Sequence, residues 1–215
     1  MASGAVAGHD APVLSPRSTF LAAAAVVADT VDLIPSTAWD GPGLGEWDLR
    51  ALVGHTSRSL ITVVEYLGRP AAVEEIATPE AYYAKVAGFA AADPAAVVER
   101  GRAAGAALGD DPAAAFRARL ADAAAALDGA GDDDLPTTLV GGMRLAAYLP
   151  TRTFELAVHG ADIAAATGLV VAFPPDVLAE AATLAARIAV ELGKGPEVLA
   201  ALTGRSGLPA GFSVV

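Results

Sequence analysis

The sequence predicts an all-α protein: an antiparallel four-helix bundle with one additional helix and an irregular tail at its C-terminal end. Two observations support this prediction. Hydrophobic residues make up 54% of the 215 residues, many of them alanine, and aromatic residues only 6%, which is typical of closely packed helices. Apolar residues also recur every three or four positions, between capping residues and prolines that mark helix starts. We expect no convincing strand.

Five or six helices are expected from capping residues and apolar periodicity. Ser15 and Pro16 open the first helix, which runs to about Ile34. Asp48 caps the second, which stops before Gly68. The segments that begin at Pro79, Pro94 and Pro112 are expected to stack as one kinked rod. A later helix is expected to begin near Met143 or Pro150 and to end at Gly168, and a final helix to run from Asp176 to near Leu192.

The chain is interpreted as one bundle with appendages. Residues 1–14 are expected to form a disordered tail, and residues 15–168 the helical bundle. Residues 169–215 are expected to add a short helix and a tail that pack on the bundle. The tail after Gly193 is rich in glycine and proline, which favours a loop over another packed helix.

Charge and composition exclude several classes of partner. A formal charge of −11 argues against nucleic acid and anionic membranes, because binding to phosphates requires clustered lysine and arginine. No apolar run reaches the roughly 18 uncharged residues of a membrane span, and the amino terminus lacks a basic secretory signal. The chain has no cysteine, which fits a cytoplasmic location and means that any reacting thiol comes from a cosubstrate.

The most informative pattern is a glutamate and a histidine four residues apart, Glu155 and His159. On a helix these positions share one face, with Cβ atoms about 5–6 Å apart, so both side chains can reach one divalent metal. His55 is the best third ligand among the three histidines of the chain. Two histidines and one glutamate would leave a zinc-like ion with an open position for water or a thiolate.

The residues around this pair favour a metal site. Apolar neighbours make an unpaired carboxylate at Glu155 costly, and Asp162 lies where it can orient His159. Arg152 lies one turn before Glu155, where a salt bridge between them is favoured over a catalytic role. A chance pair on the surface, with His55 at the edge of an apolar face, is the alternative. No phosphate-binding loop, G-x-S-x-G or H-E-x-x-H motif competes with this site.

Several segments resemble one known family. Residues 47–55 match the pattern W-[ST]-x-R-x-L-x-x-H, with Asp48 in place of the serine or threonine, and residues 152–162 match R-x-x-E-x-x-x-H-x-x-D. Residues 166–168 read A-T-G, and residues 202–205 match L-x-G-R. These segments resemble the mycothiol-dependent maleylpyruvate isomerase family, which belongs to the DinB-like bundle superfamily.

The resemblance implies a DinB-like bundle in which His55, Glu155 and His159 hold a metal, usually zinc. It also implies mycothiol or a similar low-molecular-weight thiol as cosubstrate. Arg205 resembles an arginine that binds the substrate carboxylate. The family's isomerases carry a distinct C-terminal domain, whereas residues 169–215 hold one predicted helix and a tail, so maleylpyruvate itself is not the assumed substrate.

The expected activity is addition of a metal-activated thiol to a small electrophile, as an isomerase or an S-transferase. Two alternatives stay open: a metal-dependent hydrolase with water at the open position, and a non-catalytic helical module that keeps the metal for stability. The protein is expected to be a monomer or a homodimer.

Overall fold

The computed structural model describes residues 15–215, except for the side chains of residues 89–92 and 94. The expected tail, residues 1–14, lies outside the described residues. Within residues 15–215 the chain forms eight helices and one short hairpin, which confirms the all-α fold. The elements are α1 (Pro16–Asp32), α2 (Leu49–Leu67), α3 (Pro79–Ala92), α4 (Pro94–Ala106), α5 (Pro112–Asp128), β1 (Thr137–Thr138), β2 (Gly141–Gly142), α6 (Leu145–Thr167), α7 (Pro175–Glu191) and α8 (Gly195–Leu202).

Side-chain caps open four of the helices at the expected positions. Ser15, Asp48, Asp93 and Asp111 each accept a hydrogen bond from the backbone N–H three residues later, at 2.7–3.2 Å. Such a cap stabilises a helix by about 1 kcal/mol because it satisfies a backbone donor that has no partner within the helix. Local sequence therefore fixes these starting points.

Helices α1, α2, α5 and α6 form the four-helix bundle, because α1 and α2 each pack against both α5 and α6. Burying a large apolar side chain contributes about 1.5–3 kcal/mol, so their shared interior holds the fold together. The largest fully buried side chains there include Phe20, Leu52, Leu60, Phe116, Leu127, Tyr148 and Leu156.

The other helices cover this bundle. Helix α4 packs along α2, α3 packs on α6 and α7, and α8 packs on α7. Helices α2 and α4 approach closely where Gly54 faces Gly105. A Cβ atom at Gly105 would lie 2.8 Å from the Cα of Ala51, and a Cβ at Gly54 would clash with the backbone of Gly105. Glycine is therefore required on both sides of this crossing.

The helix expected near Met143 is present, whereas two other expectations about secondary structure need correction. Helix α6 begins at Leu145 and continues through Pro150, because burial of Leu145, Tyr148 and Leu149 outweighs the hydrogen bond that the proline removes. No convincing strand is expected from the sequence, but the β1–β2 hairpin lies between α5 and α6, with two paired residues on each strand.

The tail after Gly193 is also not entirely a loop. Gly193 adopts φ of +74° and ends α7, and Pro196 and Glu197 then favour the first turn of α8. Among the described residues, no helix is long and apolar enough to cross a membrane.

Candidate metal centre

The packing of α2 against α6 brings the three predicted ligands together. His55 lies on α2, whereas Glu155 and His159 lie one turn apart on α6. One ligand atom from each residue lies within 4.8 Å of the other two. The rings of His55 and His159 meet edge to face, with centroids 4.9 Å apart. The structure thus juxtaposes residues that are about 100 positions apart in sequence.

On α6, the two candidate ligands and Asp162 form a chain of contacts. The Nε2 atom of His159 lies 3.3 Å from Oε2 of Glu155, and its Nδ1 atom lies 3.0 Å from Oδ2 of Asp162. A proton on Nδ1, donated to Asp162, leaves Nε2 as the atom that can bind a metal. The side chains of His159 and Glu155 are 14% and 21% exposed, so they are sheltered yet reachable by a small ligand.

Tyr83 on α3 contacts the other oxygen of Glu155. Its hydroxyl oxygen lies 2.6 Å from Oε1 of Glu155 and 3.0 Å from the carbonyl oxygen of Thr151. Sequence reasoning missed this residue, although Tyr82 and Tyr83 stand out as two of only four tyrosines in the chain. Glu155 therefore has one oxygen engaged by Tyr83 and the other directed at His159.

The α2 half of the centre is built differently. The ring of His55 stacks on that of Trp47, with centroids 4.5 Å apart, and its buried Nδ1 atom has no hydrogen-bond partner among the described residues. Trp47 is held in turn, because its indole N–H donates to the carbonyl of Val98 and its ring fills the space beside Gly101. An unpartnered buried nitrogen is unusual, since such groups normally find a partner.

The electrostatics of the three side chains also differ. Burial, reinforced by the nearby charge of His159, lowers the pKa of His55 to about 4. Burial alone would lower the pKa of His159, but its hydrogen bonds to Asp162 and Glu155 raise it above the usual histidine value. Burial alone would raise the pKa of Glu155, but hydrogen bonds and charges from His159, Arg152 and Tyr83 depress it.

These residues fit a divalent metal of the zinc type. Two imidazoles and one carboxylate are ligands that zinc accepts, and three protein ligands leave a further position for a substrate. The buried Nδ1 of His55 without a partner and the clustered donor atoms both agree with this ligand set. The carboxylate of Asp162 beside His159 matches the arrangement that orients histidine ligands in metal sites.

Arg152 does not form the expected ion pair with Glu155. Its guanidinium lies 5.0 Å from the ring centroid of Tyr148 and 5.5 Å from that of Tyr82, and its Nε donates to the hydroxyl of Thr151. Among the described side chains, it pairs with no carboxylate, although the residue is only 8% exposed. Stacking between two tyrosine rings stabilises the buried guanidinium instead.

A cavity of about 160 Å³ opens beside His55 and Glu155. Arg58, Arg100 and Arg152 all line it, and none of the three pairs with a carboxylate among the described residues. Arg58 lies three residues after His55 on the same face of α2, a spacing that could have been noticed in the sequence. No local signal points to Arg100, because it reaches the cavity from α4.

Arg205, the other predicted arginine, lies elsewhere. It follows α8, is exposed, and donates a hydrogen bond to the carbonyl of Thr203. Among the described residues that line the cavity, Arg205 is absent. The structure therefore does not bring Arg205 together with the three candidate ligands.

Comparison with known proteins identifies the family. The family model described as the mycothiol maleylpyruvate isomerase N-terminal domain matches residues 20–164, about two thirds of the chain. This match spans both candidate ligand segments and confirms the resemblance inferred from them. No curated protein and no solved structure matches the chain. The chain belongs to the family of the mycothiol maleylpyruvate isomerase N-terminal domain.

Proposed function

We propose that the protein is a metal-dependent enzyme that activates a low-molecular-weight thiol, mycothiol or a close analogue, for addition to a small electrophile. The observation that carries this proposal is the clustering of His55, Glu155 and His159, whose ligand atoms lie within 4.8 Å of one another beside a cavity. The family of the chain supports a thiol as the second reactant. Zinc is the proposed ion.

The chain's own residues supply the ligands and hold them in place. His55, Glu155 and His159 would bind the ion, while Asp162 orients the ring of His159. A zinc ion held by these residues would supply Lewis acidity and would lower the pKa of a coordinating thiol. Since the chain has no cysteine, this thiol is a cosubstrate.

The lining of the cavity supports an electrophile that carries a carboxylate or another anionic group. Arg58, Arg100 and Arg152 place three guanidiniums around a small space, in a chain whose formal charge is −11. Guanidiniums bind carboxylates through paired, charge-assisted hydrogen bonds. We therefore assign the anchoring of the substrate anion to this cluster, with the buried Arg152 as its innermost member.

Two outcomes of thiol addition are compatible with this site. For an isomerase, the thiolate adds to an activated cis alkene, the new single bond rotates, and elimination regenerates both the alkene and the thiol. For an S-transferase, a proton is added to the adduct and the conjugate is released as product. Consumption of the thiol distinguishes an isomerase from an S-transferase, because only the transferase uses one thiol per turnover.

Metal content by elemental analysis tests the proposal first. The wild-type protein should hold about one equivalent of zinc or a similar ion, and His55→Ala and His159→Ala should each lose it because three protein ligands are needed. His9→Ala is the matched control, since it removes the remaining histidine of the chain. Wild-type protein that binds no metal after reconstitution, or metal lost equally from the control, contradicts the proposed centre.

Turnover with and without added thiol tests the reaction. Consumption of an unsaturated carboxylic acid only in the presence of mycothiol or a thiol analogue supports thiol activation. Equal rates without thiol would indicate a hydrolase instead. Bound metal with no turnover under either condition would indicate a non-catalytic helical module.

A further inference from the structure

Tyr83 connects α3 to the candidate centre through one hydroxyl group. The residue is 5% exposed, and its ring packs edge to face on Phe154 and Tyr82, with centroids 5.3 Å and 5.6 Å apart. Because the ring is fixed on both sides, the position of its hydroxyl oxygen is fixed as well. The shorter of its two contacts, 2.6 Å, is with Oε1 of Glu155.

The hydrogen bond from Tyr83 gives the two carboxylate oxygens of Glu155 different partners. Oε1 of Glu155 accepts from Tyr83, which leaves Oε2 as the oxygen that faces Nε2 of His159 at 3.3 Å. A carboxylate with both oxygens free can rotate about its terminal bond and offer either oxygen or both. Here rotation would break a hydrogen bond in a buried place, which is costly.

The hydrogen bond between Tyr83 and Glu155 also affects how Glu155 lies relative to Arg152. It lies one turn before Glu155 on α6, a spacing at which opposite charges normally attract. Instead, Arg152 stacks on Tyr82 and Tyr148, and Glu155 bonds to Tyr83. Neighbouring tyrosines of α3 therefore keep the two charges apart, so that the carboxylate faces the candidate ligands and the guanidinium lines the cavity.

We propose that Tyr83 is a positioning residue that holds Glu155 toward the metal through Oε2 and prevents it from pairing with Arg152. This inference rests on the proposed metal centre and names a residue that the ligand motif does not contain. The hydroxyl group is the part that matters, and the aromatic ring serves only to aim it.

The test compares Tyr83→Phe with Tyr148→Phe. Both variants remove one buried hydroxyl and keep the ring, but the hydroxyl of Tyr148 bonds to Thr62 rather than to a candidate ligand. Zinc affinity, measured by competition with a chromophoric chelator, should fall about 10–100-fold in Tyr83→Phe, as it does when groups supporting a ligand are lost. In Tyr148→Phe it should stay within about threefold of wild type, because only supporting contacts of the metal ligands carry this loss.

Two further variants separate the hydrogen bond from general damage. 4-Aminophenylalanine in place of Tyr83 keeps an N–H donor at the same position and should restore most of the zinc affinity. Arg152→Gln combined with Tyr83→Phe should lose less affinity than Tyr83→Phe alone, because the competing charge is gone. Loss of affinity with 4-aminophenylalanine, or wild-type affinity in Tyr83→Phe, would overturn the proposal.

Cobalt substitution gives a readout that does not depend on turnover. The visible absorption of the Co²⁺ protein should change in Tyr83→Phe, because Glu155 becomes free to bind through a different oxygen or through both. The spectrum of Tyr148→Phe should match wild type. Identical spectra in all three proteins would overturn the role of Tyr83 while leaving the metal centre intact, whereas a wild-type protein that binds no metal would overturn both.

Discussion

On α6 the candidate ligands hold one another through hydrogen bonds, whereas on α2 the ring of His55 is positioned by packing on neighbouring rings. His159 contacts Glu155 on one side and Asp162 on the other, all within one helix. Within the part of the chain that the structure describes, the buried Nδ1 of His55 has no hydrogen-bond partner, and the ring of Trp47 packs beside it. Polar contacts within α6 therefore position Glu155 and His159, whereas the position of His55 depends on where the whole of α2 lies.

This difference indicates where each half is vulnerable. Changes to single polar atoms should disturb the α6 half, because its geometry rests on a few hydrogen bonds. Changes to the shape of the α2–α4 contact should disturb the α2 half, even when they occur far from any ligand. Metal affinity reports on both halves, so the right pairs of variants can separate them.

The largest effect is expected from Gly105→Ala on α4. Its Cβ would lie within 3 Å of the backbone of α2, next to Ala51, and the helices would have to move apart. Overpacking of this kind costs about 1–3 kcal/mol of unfolding free energy, and the shift of α2 should also weaken zinc binding by moving His55.

Gly88→Ala is the matched control, because a Cβ at Gly88 in α3 meets open space. It should stabilise the protein by up to about 1 kcal/mol, because alanine favours helix, and leave zinc affinity unchanged. Chemical denaturation and chelator competition measure both quantities. Equal effects of the two variants would show that the α2–α4 contact does not position His55.

Asp162→Ala should have a smaller and more selective effect on the α6 half. It removes the acceptor at Nδ1 of His159, so zinc affinity should fall about 10–100-fold with little change in unfolding free energy. Asp122→Ala on α5 is the control, since Asp122 is exposed and makes no contact with the site. Asp162→Ala with wild-type affinity would show that the ring of His159 is held by other contacts.

The most gradual effect concerns the pH dependence of stability in the metal-free protein. The pKa of His159 is raised to about 9, so the folded protein keeps a proton there that the unfolded chain releases above pH 6.5. Its contribution is complete below pH 6.5 and is lost as the pH rises through about 9. The unfolding free energy should therefore fall over this range, by at most about 1.4 kcal/mol per pH unit.

His55 should act in the opposite direction at lower pH. Its pKa is lowered to about 4, so between pH 6.5 and 4 the unfolded chain takes up a proton that the folded protein does not. The unfolding free energy should fall as the pH falls through that window. Urea denaturation of the metal-free protein between pH 4.5 and 9 measures both slopes. His159→Gln should remove the alkaline slope and also weaken the acidic one, because the charge of His159 helps to lower the pKa of His55. His55→Gln should remove only the acidic slope. An alkaline slope that survives in His159→Gln, or an acidic slope unchanged in His55→Gln, would contradict the assignment.

The contrast between the two halves also explains what could be predicted from the sequence. The pair Glu155 and His159, and the support from Asp162, follow from helical spacing, because all three lie on one face of α6. The capped helix starts were predictable for the same reason, since each cap acts within four residues.

The contacts that Tyr83 and Arg100 make from other helices could not be predicted from local spacing in the sequence. Tyr83 reaches Glu155 only because α3 packs on α6, and Arg100 reaches the cavity from α4. The ion pair expected between Arg152 and Glu155 is locally reasonable, but tyrosine side chains from α3 and α6 compete for both partners. Local spacing predicts which residues could meet, and packing decides which of them do.

The arginine cluster of the cavity has a kinetic consequence in so acidic a protein. A formal charge of −11 repels an approaching anion, whereas Arg58, Arg100 and Arg152 attract it once it has arrived. The Debye length at physiological ionic strength is about 8 Å, so added salt screens the distant repulsion more than the close contacts inside the cavity. Added salt should therefore raise the association rate of an anionic compound, and it should shorten or leave unchanged the residence time in the cavity. The association and dissociation rates thus report on two different sets of charges.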